Sequence, residues 1–437
     1  MTSVIQYLRD LYKLKTSPQF RSRISLIRSR VNRILNEKPL INNQYAKNLM
    51  LAKQLKEKDI IKVVFLVQIP SIWKYDELYL LMEKDPKFEP FVLVCPLLEN
   101  GESLQRYYME MTFKEMQQKG YNVFSAYNAE NNELIDIKET FHPDIVFHSR
   151  PYRSLIPNQY YITNLLDVLN CSVPYGMMMS TPKHHYDSLF YNLLWINFSD
   201  TIVYKRLAEK VQYLKGKNIY VSGYPGCDKL IESKYTPKDI WKRSENKKVR
   251  IIWAPHHETH SKSSFLKYNE FFLDLAQRYE DMIQFAFKPH PLLKPHLYNH
   301  PLWGKEKTDR YYESWNNNSN TQLIEGQYLD LFLTSDAMIH DSESFMVEYL
   351  YLKKPVLFCH DIDSSIYKWL NQLGIEALKC HYKAFAEKDI ENFVTNLIYD
   401  RNDDLVLSRE KFFEEYLYPP LTGNASLNIL NKIKEYV

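Results

Sequence analysis

The sequence predicts an α/β protein with two domains, each built on a parallel β-sheet covered by helices. The chain has 437 residues, more than a single domain commonly holds. Two successive blocks alternate short, β-branched apolar runs with amphipathic helical segments. The polar stretch SKYTPKDIWKRSENKKVR (233–250) interrupts this alternation and marks the boundary between the blocks. A hydrophobic content of 45% and a charged content of 25% are typical of globular proteins.

Residues 1–58 are predicted to form a basic helical extension. They hold thirteen Lys and Arg against three acidic residues, a net charge of +10, and because the whole chain carries +3, residues 59–437 carry −7. In FRSRISLIRSRVNRIL (20–35), apolar residues recur at helical spacing and arginines fill the other faces. Such a helix suits the anionic cytoplasmic face of a membrane. A helix packed on the main body and a nucleic-acid contact are the alternatives, the latter without a recognised binding motif.

The five cysteines are scattered, without a CxxC pair or zinc-finger spacing, which suits a reducing compartment. The chain has no apolar run of membrane-spanning length, and charges interrupt the N-terminus where a signal peptide needs its apolar core. We therefore expect a cytoplasmic protein that neither spans a membrane nor is exported.

The elements of the first block follow in order. Strands are predicted at IIKVVFLVQ (60–68), FEPFVLVCP (88–96), YNVFSAY (121–127) and HPDIVFHSRPY (142–152), with helices at ELYLLMEKD (77–85) and TFKEMQQKG (112–120). The alternation continues through SVPYGMM (172–178), DTIVYKRLAEKV (200–211) and GKNIYVSGYPGCDKLI (216–231).

The second block repeats the alternation without repeating the sequence. Strands are predicted at VRIIWAPHH (249–257), MIQFAFKPHP (282–291), NTQLIEG (320–326), DAMIHDSES (336–344) and PVLFCHD (355–361), with helices at FLKYNEFFLDLAQRYE (265–280), QYLDLFLTS (327–335) and FMVEYLYLKK (345–354). Because ligands of parallel sheets bind beyond the carboxyl ends of the strands, two such sheets predict a site in the cleft between the domains.

Polar side chains follow three strands of the second block where each strand ends. These residues are His256 and His257, Lys288 and His290, and His340 and Asp341. We expect all three sets at the carboxyl edge of the second sheet. A lysine and several imidazoles at one edge predict a site for negatively charged oxygen, with phosphate the foremost ligand. Taken singly, each histidine is equally compatible with an ordinary loop residue.

The segment HDSESFMVEYL (340–350) adds a helix start to this edge. Ser342 and Ser344 are suitable N-cap residues, and free backbone amides there accept a phosphate. Glu348 follows Ser344 by one helical turn, where its carboxylate would accept both hydroxyls of a ribose. Plain N-capping with an exposed glutamate is the alternative.

The motifs WAPHH, FKPHP, TSDAMIHDSESFMVEYLYLKKPVLF and IYVSGYPGCDKLI resemble, in order and spacing, those of the CDP-glycerol glycerophosphotransferases of teichoic-acid and capsule synthesis. The resemblance covers about residues 200–370. It implies two Rossmann-like domains (GT-B-like) facing a central cleft, with the nucleotide held mostly by the C-terminal domain. The predicted division is an extension (1–58), an acceptor domain (59–235), a nucleotide-donor domain (236–415) and a C-terminal helix (416–437).

The resemblance also implies roles for single residues. His290 would contact the donor pyrophosphate, Ser344 a phosphate and Glu348 the ribose. Lys288 is added on electrostatic grounds. Where family members often have D-Y-S-S, this chain has DSES (341–344), so an acid replaces one phosphate-binding serine.

The catalytic base is less well defined, because MMMSTPKHH (177–185) stands where the family carries H-G-T-P. His184 or His185 would then accept the proton. No carboxylate cluster clearly indicates a metal; Asp341 with Asp361 or Asp363 is the one option.

The resulting hypothesis is transfer of a polyol phosphate from a CDP-linked donor to a hydroxyl of a lipid-linked or glycan acceptor, with CMP leaving. The basic extension would keep the enzyme peripheral on the inner face of the cell membrane, and no nucleic-acid partner is expected. A glycosyltransferase that uses a nucleotide sugar and a non-catalytic capsule-assembly scaffold are the alternatives.

Overall fold

The structure is a computed structural model that describes residues 33–99, 101–128, 131–259, 263–326, 328–359 and 368–437, without the side chains of Ile34 and Ser344. The predicted helix over 20–35 therefore lies almost entirely outside the described residues.

The first domain holds a parallel sheet with the strand order β3-β2-β1-β4-β5-β6-β7. In chain order the strands are β1 Ile61–Val67, β2 Phe88–Val94, β3 Val123–Ser125, β4 Ile145–His148, β5 Leu169–Ser172, β6 Ile196–Ser199 and β7 Ile219–Val221. Strands β1 and β2 are buried along nearly their whole length, as expected for a sheet covered on both faces. The chain moves outward in opposite directions from β1 and β4, so these neighbours form the switch point of the sheet.

Helices cover this sheet and lie between its strands. They are α1 Lys38–Gln54, α2 Asp76–Lys84, α3 Glu102–Gln118, α4 Ile137–Phe141, α5 Leu189–Leu193, α6 Ile202–Val211 and α7 Asp228–Ile231. Side-chain N-caps begin several of them: the Thr201 hydroxyl, for example, accepts from the backbone N–H of Tyr204 at the start of α6.

The second domain holds a parallel sheet with the order β10-β9-β8-β11-β12-β13. Its strands are β8 Val249–Ala254, β9 Ile283–Phe287, β10 Thr321–Leu323, β11 Ala337–His340, β12 Val356–Cys359 and β13 Tyr382–Ala384. The helices are α8 Ser264–Arg278, α9 Leu293–Tyr298, α10 Gly304–Asn317, α11 Leu329–Thr334, α12 Glu343–Glu348, α13 Gln372–Lys379, α14 Glu387–Thr395 and α15 Val406–Phe412, followed by α16 Ala425–Lys434. The switch point of this sheet lies between β8 and β11.

The predicted fold class is confirmed, since both sheets are parallel and covered by helices. Some elements differ from their predicted positions. The strand expected at SVPYGMM lies mostly before it, at Leu169–Ser172, because Pro174 lacks the N–H that a central strand needs. Helix α12 ends at Glu348 and continues only as a short 3-10 turn, Tyr349–Leu352, closed by Lys353 at φ 59°.

The two domains share a buried apolar cluster. It joins Met177, Met179 and Tyr224 of the first domain to Met338, Val347 and Leu370 of the second. In addition, Ser180 pairs with Leu370 in an isolated antiparallel bridge, and the backbone N–H of Thr181 donates to the carbonyl of Trp369 (2.8 Å). The segment just before His184 and His185 is thus attached to the second domain.

After the second domain, the chain returns to the first. Helix α16 buries Ile429 and Ile433 in the core of the first domain. The carboxylate of Asp228 accepts from the backbone N–H groups of Ala425 (2.8 Å) and Ser426 (2.9 Å). Gly223 has φ 88°, and a Cβ there would lie 2.8 Å from that of Pro419, so only glycine fits where the returning chain crosses.

The described part of the basic extension is a helix packed on the first domain. In α1, Ile41 and Ala52 are buried, and the amide of Asn48 donates to the carbonyl of Leu193 (3.2 Å). Just before α1, Arg33 forms an ion pair with the buried Asp187 (2.5 Å). In the described part of the chain, no helix combines the length and apolarity needed to cross a bilayer.

Candidate active site at the carboxyl edge of the second sheet

The stretch FKPHP continues the sheet beyond the end of β9. The backbone N–H of Lys288 donates to the carbonyl of Trp253 (2.8 Å), and that of His290 donates to the carbonyl of Pro255 (3.2 Å). Because the two prolines lack an N–H, these two residues supply the donors that keep the β9 end beside the β8 end. The loop is therefore fixed against β8, and its side chains project at the carboxyl edge.

The predicted imidazoles meet at this edge. The ring centroids of His256 and His257 are 4.0 Å apart, and that of His290 lies 4.5 Å from His257 and 5.5 Å from His256. A fourth ring, that of His296 in α9, stacks on His257 at 5.2 Å, and its Nδ1 lies 2.9 Å from the His257 carbonyl. We call these four residues the histidine cluster.

Two rings of the histidine cluster are held in the neutral form. Burial, reinforced by the other imidazoles and Lys288, lowers the pKa of His290 from 6.5 to about 3. Burial, with His256 and His296 adding to it, lowers the pKa of His257 to about 4. Neutral imidazoles at this spacing avoid mutual repulsion, and an anion placed among them would favour their protonation.

Lys288 supplies a cation beside the histidine cluster. Its side chain is 4% exposed. Burial lowers the pKa of Lys288 from 10.5 to about 8, while the carboxylate of Glu325, at the end of β10, opposes part of that shift. Lys288 is thus mostly charged at neutral pH and poorly solvated, which favours binding of an anion.

Asp341 holds the edge together. Its Oδ1 accepts from the backbone N–H of His256 (2.6 Å), and its Oδ2 accepts from that of Ser264 (3.2 Å) at the start of α8. The carboxylate thereby ties the loops after β8 and β11 across the switch point. The described contacts make Asp341 a positioning residue for His256.

His340 does not take part in the histidine cluster. It is fully buried, its Nδ1 lies 3.0 Å from the Ser342 carbonyl, and its Nε2 lies 3.2 Å from that of His381. His340 is the last residue of β11 and Asp341 follows it, so their side chains point to opposite faces of the sheet. The side chain of His340 is buried against His381, whereas that of Asp341 bonds the loop after β8. The expectation that His340 belongs to the site is therefore corrected by the alternation of side chains along a strand.

The serines and glutamate of the predicted phosphate turn are placed as follows. Ser342 is the N-cap residue of α12, is buried and makes no side-chain capping hydrogen bond. Ser344 lies in the first turn, and its side chain is outside the described structure. Glu348 is buried rather than exposed: its Oε2 accepts from the Tyr328 hydroxyl (2.5 Å) and its Oε1 from that of Tyr224 (3.4 Å).

The two candidate bases lie on the segment that joins the domains. His184 and His185 form a short 3-10 turn with Lys183, with their rings 4.1 Å apart. His184 is exposed, whereas His185 is half-buried with Nδ1 2.5 Å from the Ser180 hydroxyl. Burial and the neighbouring His184 lower the pKa of His185. The described contacts of this pair do not overlap with those of the histidine cluster.

No group of three or more metal-ligating side chains occurs among the described residues. Asp361 and Asp363 lie outside those residues, so their pairing with Asp341 stays a prediction.

Sequence reasoning did not find three site residues. His296 is six residues beyond His290, a spacing that gives no periodic signal across two prolines and a loop. Tyr224 and Tyr328 were hidden among the 34 tyrosines of the chain. Only the buried carboxylate of Glu348, which needs donors, could have pointed to them.

This architecture defines a class: two parallel-sheet domains of the GT-B-like type, with the histidine cluster and Lys288 at the carboxyl edge of the second sheet. Solved structures of similar fold include a UDP-N-acetylglucosamine 2-epimerase from Listeria monocytogenes (17% identity, 86% of this chain and 96% of that one, TM-score 0.55). The enzyme of that name from Neisseria meningitidis is 18% identical to this chain. The match covers 86% of this chain and 99% of that one, with a TM-score of 0.53. The wall teichoic acid polymerase TagF, in a structure soaked with CDPG, is 13% identical to this chain. The match covers 94% of this chain and 98% of that one, with a TM-score of 0.54. None of the curated proteins matches the chain.

The family follows from a second comparison. Residues 179–435 match the family described as CDP-Glycerol:Poly(glycerophosphate) glycerophosphotransferase. Since this match spans more than half of the sequence, the chain belongs to that family. The resemblance inferred from the motifs is confirmed, and with it the prediction of a transferase that uses CDP-glycerol.

Proposed function

We propose that the histidine cluster and Lys288 hold the pyrophosphate of a CDP-linked polyol, and that an acceptor hydroxyl takes its polyol phosphate. One observation carries this assignment of residues. A buried, poorly solvated lysine and the neutral imidazoles of His257 and His290 converge at the carboxyl edge of the sheet, within the part of the chain that matches the family. This edge attracts a polyanion because binding supplies the charges that burial withholds.

In the proposed reaction the acceptor oxygen attacks the β-phosphorus of the donor. The new P–O bond forms as the bond from that phosphorus to the bridging oxygen breaks, and CMP leaves with the electron pair. Lys288 and His290 offset the charge on the departing phosphate, while Glu348 binds the ribose hydroxyls. Each charge-assisted hydrogen bond contributes roughly 1.5–3 kcal/mol.

His185 is the proposed base for the acceptor proton. It is half-buried and held neutral, so its ring can accept a proton at neutral pH, and Ser180 orients it through Nδ1. Its segment is attached to the second domain, since the backbone N–H of Thr181 donates to the carbonyl of Trp369. His184 is exposed, and its ring makes no hydrogen bond to any described residue, so it lacks both the orientation and the burial that favour this role.

The assay measures the released nucleotide in the presence of a lipid-linked acceptor: CMP from CDP-glycerol or CDP-ribitol, and UDP from UDP-sugars. We expect release from a CDP-polyol, and loss of about a hundredfold or more in His290→Ala and in His185→Ala. His300→Ala, in the same domain between α9 and α10, is the matched control and should keep the wild-type rate. Transfer from UDP-sugars alone would support the alternative hypothesis of a glycosyltransferase. Full activity of His290→Ala would refute the assignment of His290 to the donor pyrophosphate.

We also propose that α1 lies against an anionic membrane surface. Its outward face carries the exposed Leu49 and Met50 together with Lys47 and Lys53, and the exposed Lys56 follows in the short 3-10 turn after the helix. Apolar side chains flanked by lysines suit the boundary of anionic lipid headgroups. In vesicle sedimentation, binding should require anionic lipid and fall in Leu49→Asp/Met50→Asp. Equal sedimentation of that variant and the wild type would refute this placement.

A further inference from the structure

Glu348, the residue assigned to the ribose, is a buried carboxylate. It is 3% exposed. Among the described residues, the donors to its carboxylate are two phenol hydroxyls, those of Tyr328 (2.5 Å) and Tyr224 (3.4 Å). Both donors are neutral, whereas a buried carboxylate needs a positive charge close by to offset its lost solvation. A cation next to one of these phenols would supply that charge.

Lys74 of the first domain is such a cation. Its Nζ donates to the hydroxyl oxygen of Tyr328 (3.3 Å) and lies 5.6 Å from the centre of the Tyr328 ring. The Tyr328 hydroxyl in turn donates to Oε2 of Glu348. Lys74, Tyr328 and Glu348 therefore form a continuous chain of hydrogen bonds from the first domain to the second. We call these three residues the interdomain relay.

The backbone at Lys74 is fixed by its neighbours in the sequence. The chain leaves β1 through a short 3-10 turn, Pro70–Ile72, and Lys74 then lies between the buried Trp73 and the buried Tyr75. The Tyr75 hydroxyl donates to the carbonyl of His148 (2.9 Å), the last residue of β4. The lysine side chain therefore starts from a rigid position beyond the carboxyl ends of β1 and β4.

Gly226 leaves room for the side chain of Lys74 on its way to the second domain. A Cβ added at Gly226 would lie 2.9 Å from the Cδ of Lys74 and 2.9 Å from the ring of Tyr224. Both charges of the interdomain relay act on the buried thiol of Cys227, the next residue in the chain. Burial raises the pKa of that thiol, Glu348 adds to the rise and Lys74 opposes it.

The interdomain relay leaves one oxygen of Glu348 for a ligand. The Tyr224 hydroxyl has a single hydrogen and lies closer to the Tyr175 carbonyl (3.0 Å) than to Oε1 of Glu348 (3.4 Å). Oε2 is thus held by Tyr328, while Oε1 keeps accepting capacity for a ribose hydroxyl. A phenol that accepts from an ammonium is a stronger donor, so Lys74 strengthens the bond that orients the carboxylate.

We propose that Lys74 is a positioning residue for the donor, which orients Glu348 through Tyr328, so that the first domain sets the preference for a ribose over a deoxyribose. This inference rests on the proposed function, since it takes Glu348 as the ribose-binding group. Recognition of the nucleotide then depends on contact between the two domains, even though Lys74 itself need not touch the nucleotide.

The test is calorimetric titration of the full chain with CMP and with 2′-deoxy-CMP. Lys74→Met should lower the ratio of the two affinities about three- to tenfold, by weakening CMP binding and leaving 2′-deoxy-CMP binding nearly unchanged. Tyr328→Phe should do the same, and Lys74→Arg should recover part of the ratio, because it retains a cation. Lys84→Met, which removes an exposed lysine of α2, is the matched control and should keep the wild-type ratio.

A double-mutant cycle tests the route through Tyr328. If Lys74 acts on Glu348 only through that hydroxyl, the variant Lys74→Met/Tyr328→Phe should lose no more CMP affinity than the weaker-binding of the two single variants. Losses that add in full would refute the interdomain relay.

The remaining outcomes separate this inference from the proposed function. Wild-type protein that binds neither CMP nor CDP-glycerol, or that binds CMP and 2′-deoxy-CMP equally, contradicts the proposed function. Wild-type protein that prefers CMP, with the same preference in Lys74→Met and Lys84→Met, refutes the inference and leaves the ribose assignment in place. An equal loss for both nucleotides in Lys74→Met would refute it too, because the lysine would then not act through Glu348. Melting temperatures show which variants are folded, and Tyr328→Phe, which removes a single oxygen atom, keeps the test decisive if Lys74→Met is unstable.

Discussion

The buried lysine at the end of β9 makes the strongest quantitative prediction. Burial lowers the pKa of Lys288 from 10.5 to about 8, which corresponds to roughly 3 kcal/mol of lost solvation of the charged form. A bound pyrophosphate regains that energy only while the lysine is protonated. We therefore expect Lys288→Met to weaken CDP-glycerol binding at pH 7 by about 10- to 100-fold.

The same pKa predicts the pH dependence of wild-type binding. Below pH 8 the unbound protein holds the proton, so affinity should be constant between pH 7 and 7.5. Above pH 8 the unbound lysine is increasingly neutral, and affinity should fall about tenfold by pH 9. The donor phosphates stay ionised throughout, and His257 and His290 do not titrate in this range.

The assay is calorimetry or fluorescence titration with CDP-glycerol between pH 7 and 9.5. Lys288→Met should give a flat profile, and Lys305→Met, which removes an exposed lysine of α10, should follow the wild type. The reasoning is refuted if Lys288→Met binds as tightly as the wild type at pH 7, or if wild-type affinity is unchanged at pH 9.

Three further predictions concern other residues of the site. Glu348→Gln should lower CMP affinity about tenfold and leave 2′-deoxy-CMP affinity nearly unchanged, because the carboxylate is assigned to the ribose hydroxyls; titration of both nucleotides measures this. Asp341→Asn should lower the free energy of unfolding by roughly 2 kcal/mol in urea, because it weakens two backbone contacts of the edge. Because the pKa values of His257 and His290 lie below those of the unfolded chain, the unfolded state binds more protons, and stability should fall as the pH is lowered from 6.5 to 4. The upper bound for the two rings together is about 5 kcal/mol, which solvent screening of these half-buried groups reduces.

Controls accompany these predictions. Tyr235→Phe, which removes a hydroxyl bonded to Asp330 outside the edge, should not alter the ratio of CMP to 2′-deoxy-CMP affinity. An equal loss for both nucleotides in Glu348→Gln would remove the ribose assignment. The double variant His257→Gln/His290→Gln should flatten the acid slope of stability, and an unchanged slope would mean that other groups cause it.

The sequence predicted the sheets well because their signal is local. Runs such as IIKVVFLVQ and MIQFAFKPHP are apolar and β-branched or aromatic, and the strands Ile61–Val67 and Ile283–Phe287 lie within them. Shorter strands such as Tyr382–Ala384 were missed, because three residues carry too little pattern. Helix Gly304–Asn317 was missed as well: it is largely charged and buries only Thr308, Tyr312 and Trp315.

The site was predictable only where chain order implies proximity. His256, His257 and His290 follow neighbouring strands, so sheet topology alone brings them together. Whether a residue points outward or inward at a strand end depends on its register. That is why Asp341 reaches the edge whereas His340 is buried against His381.

The returning helix Ala425–Lys434 affects how the protein can be made. Its apolar face, with Ile429 and Ile433, completes a core whose other parts are encoded before residue 235. During synthesis the first domain must therefore wait, with that surface uncovered, while the whole second domain emerges from the ribosome. Deleting residues 419–437 would leave the apolar surface that this helix covers on the first domain exposed to solvent. We therefore expect aggregation, rather than loss of donor binding, as the first effect of the deletion.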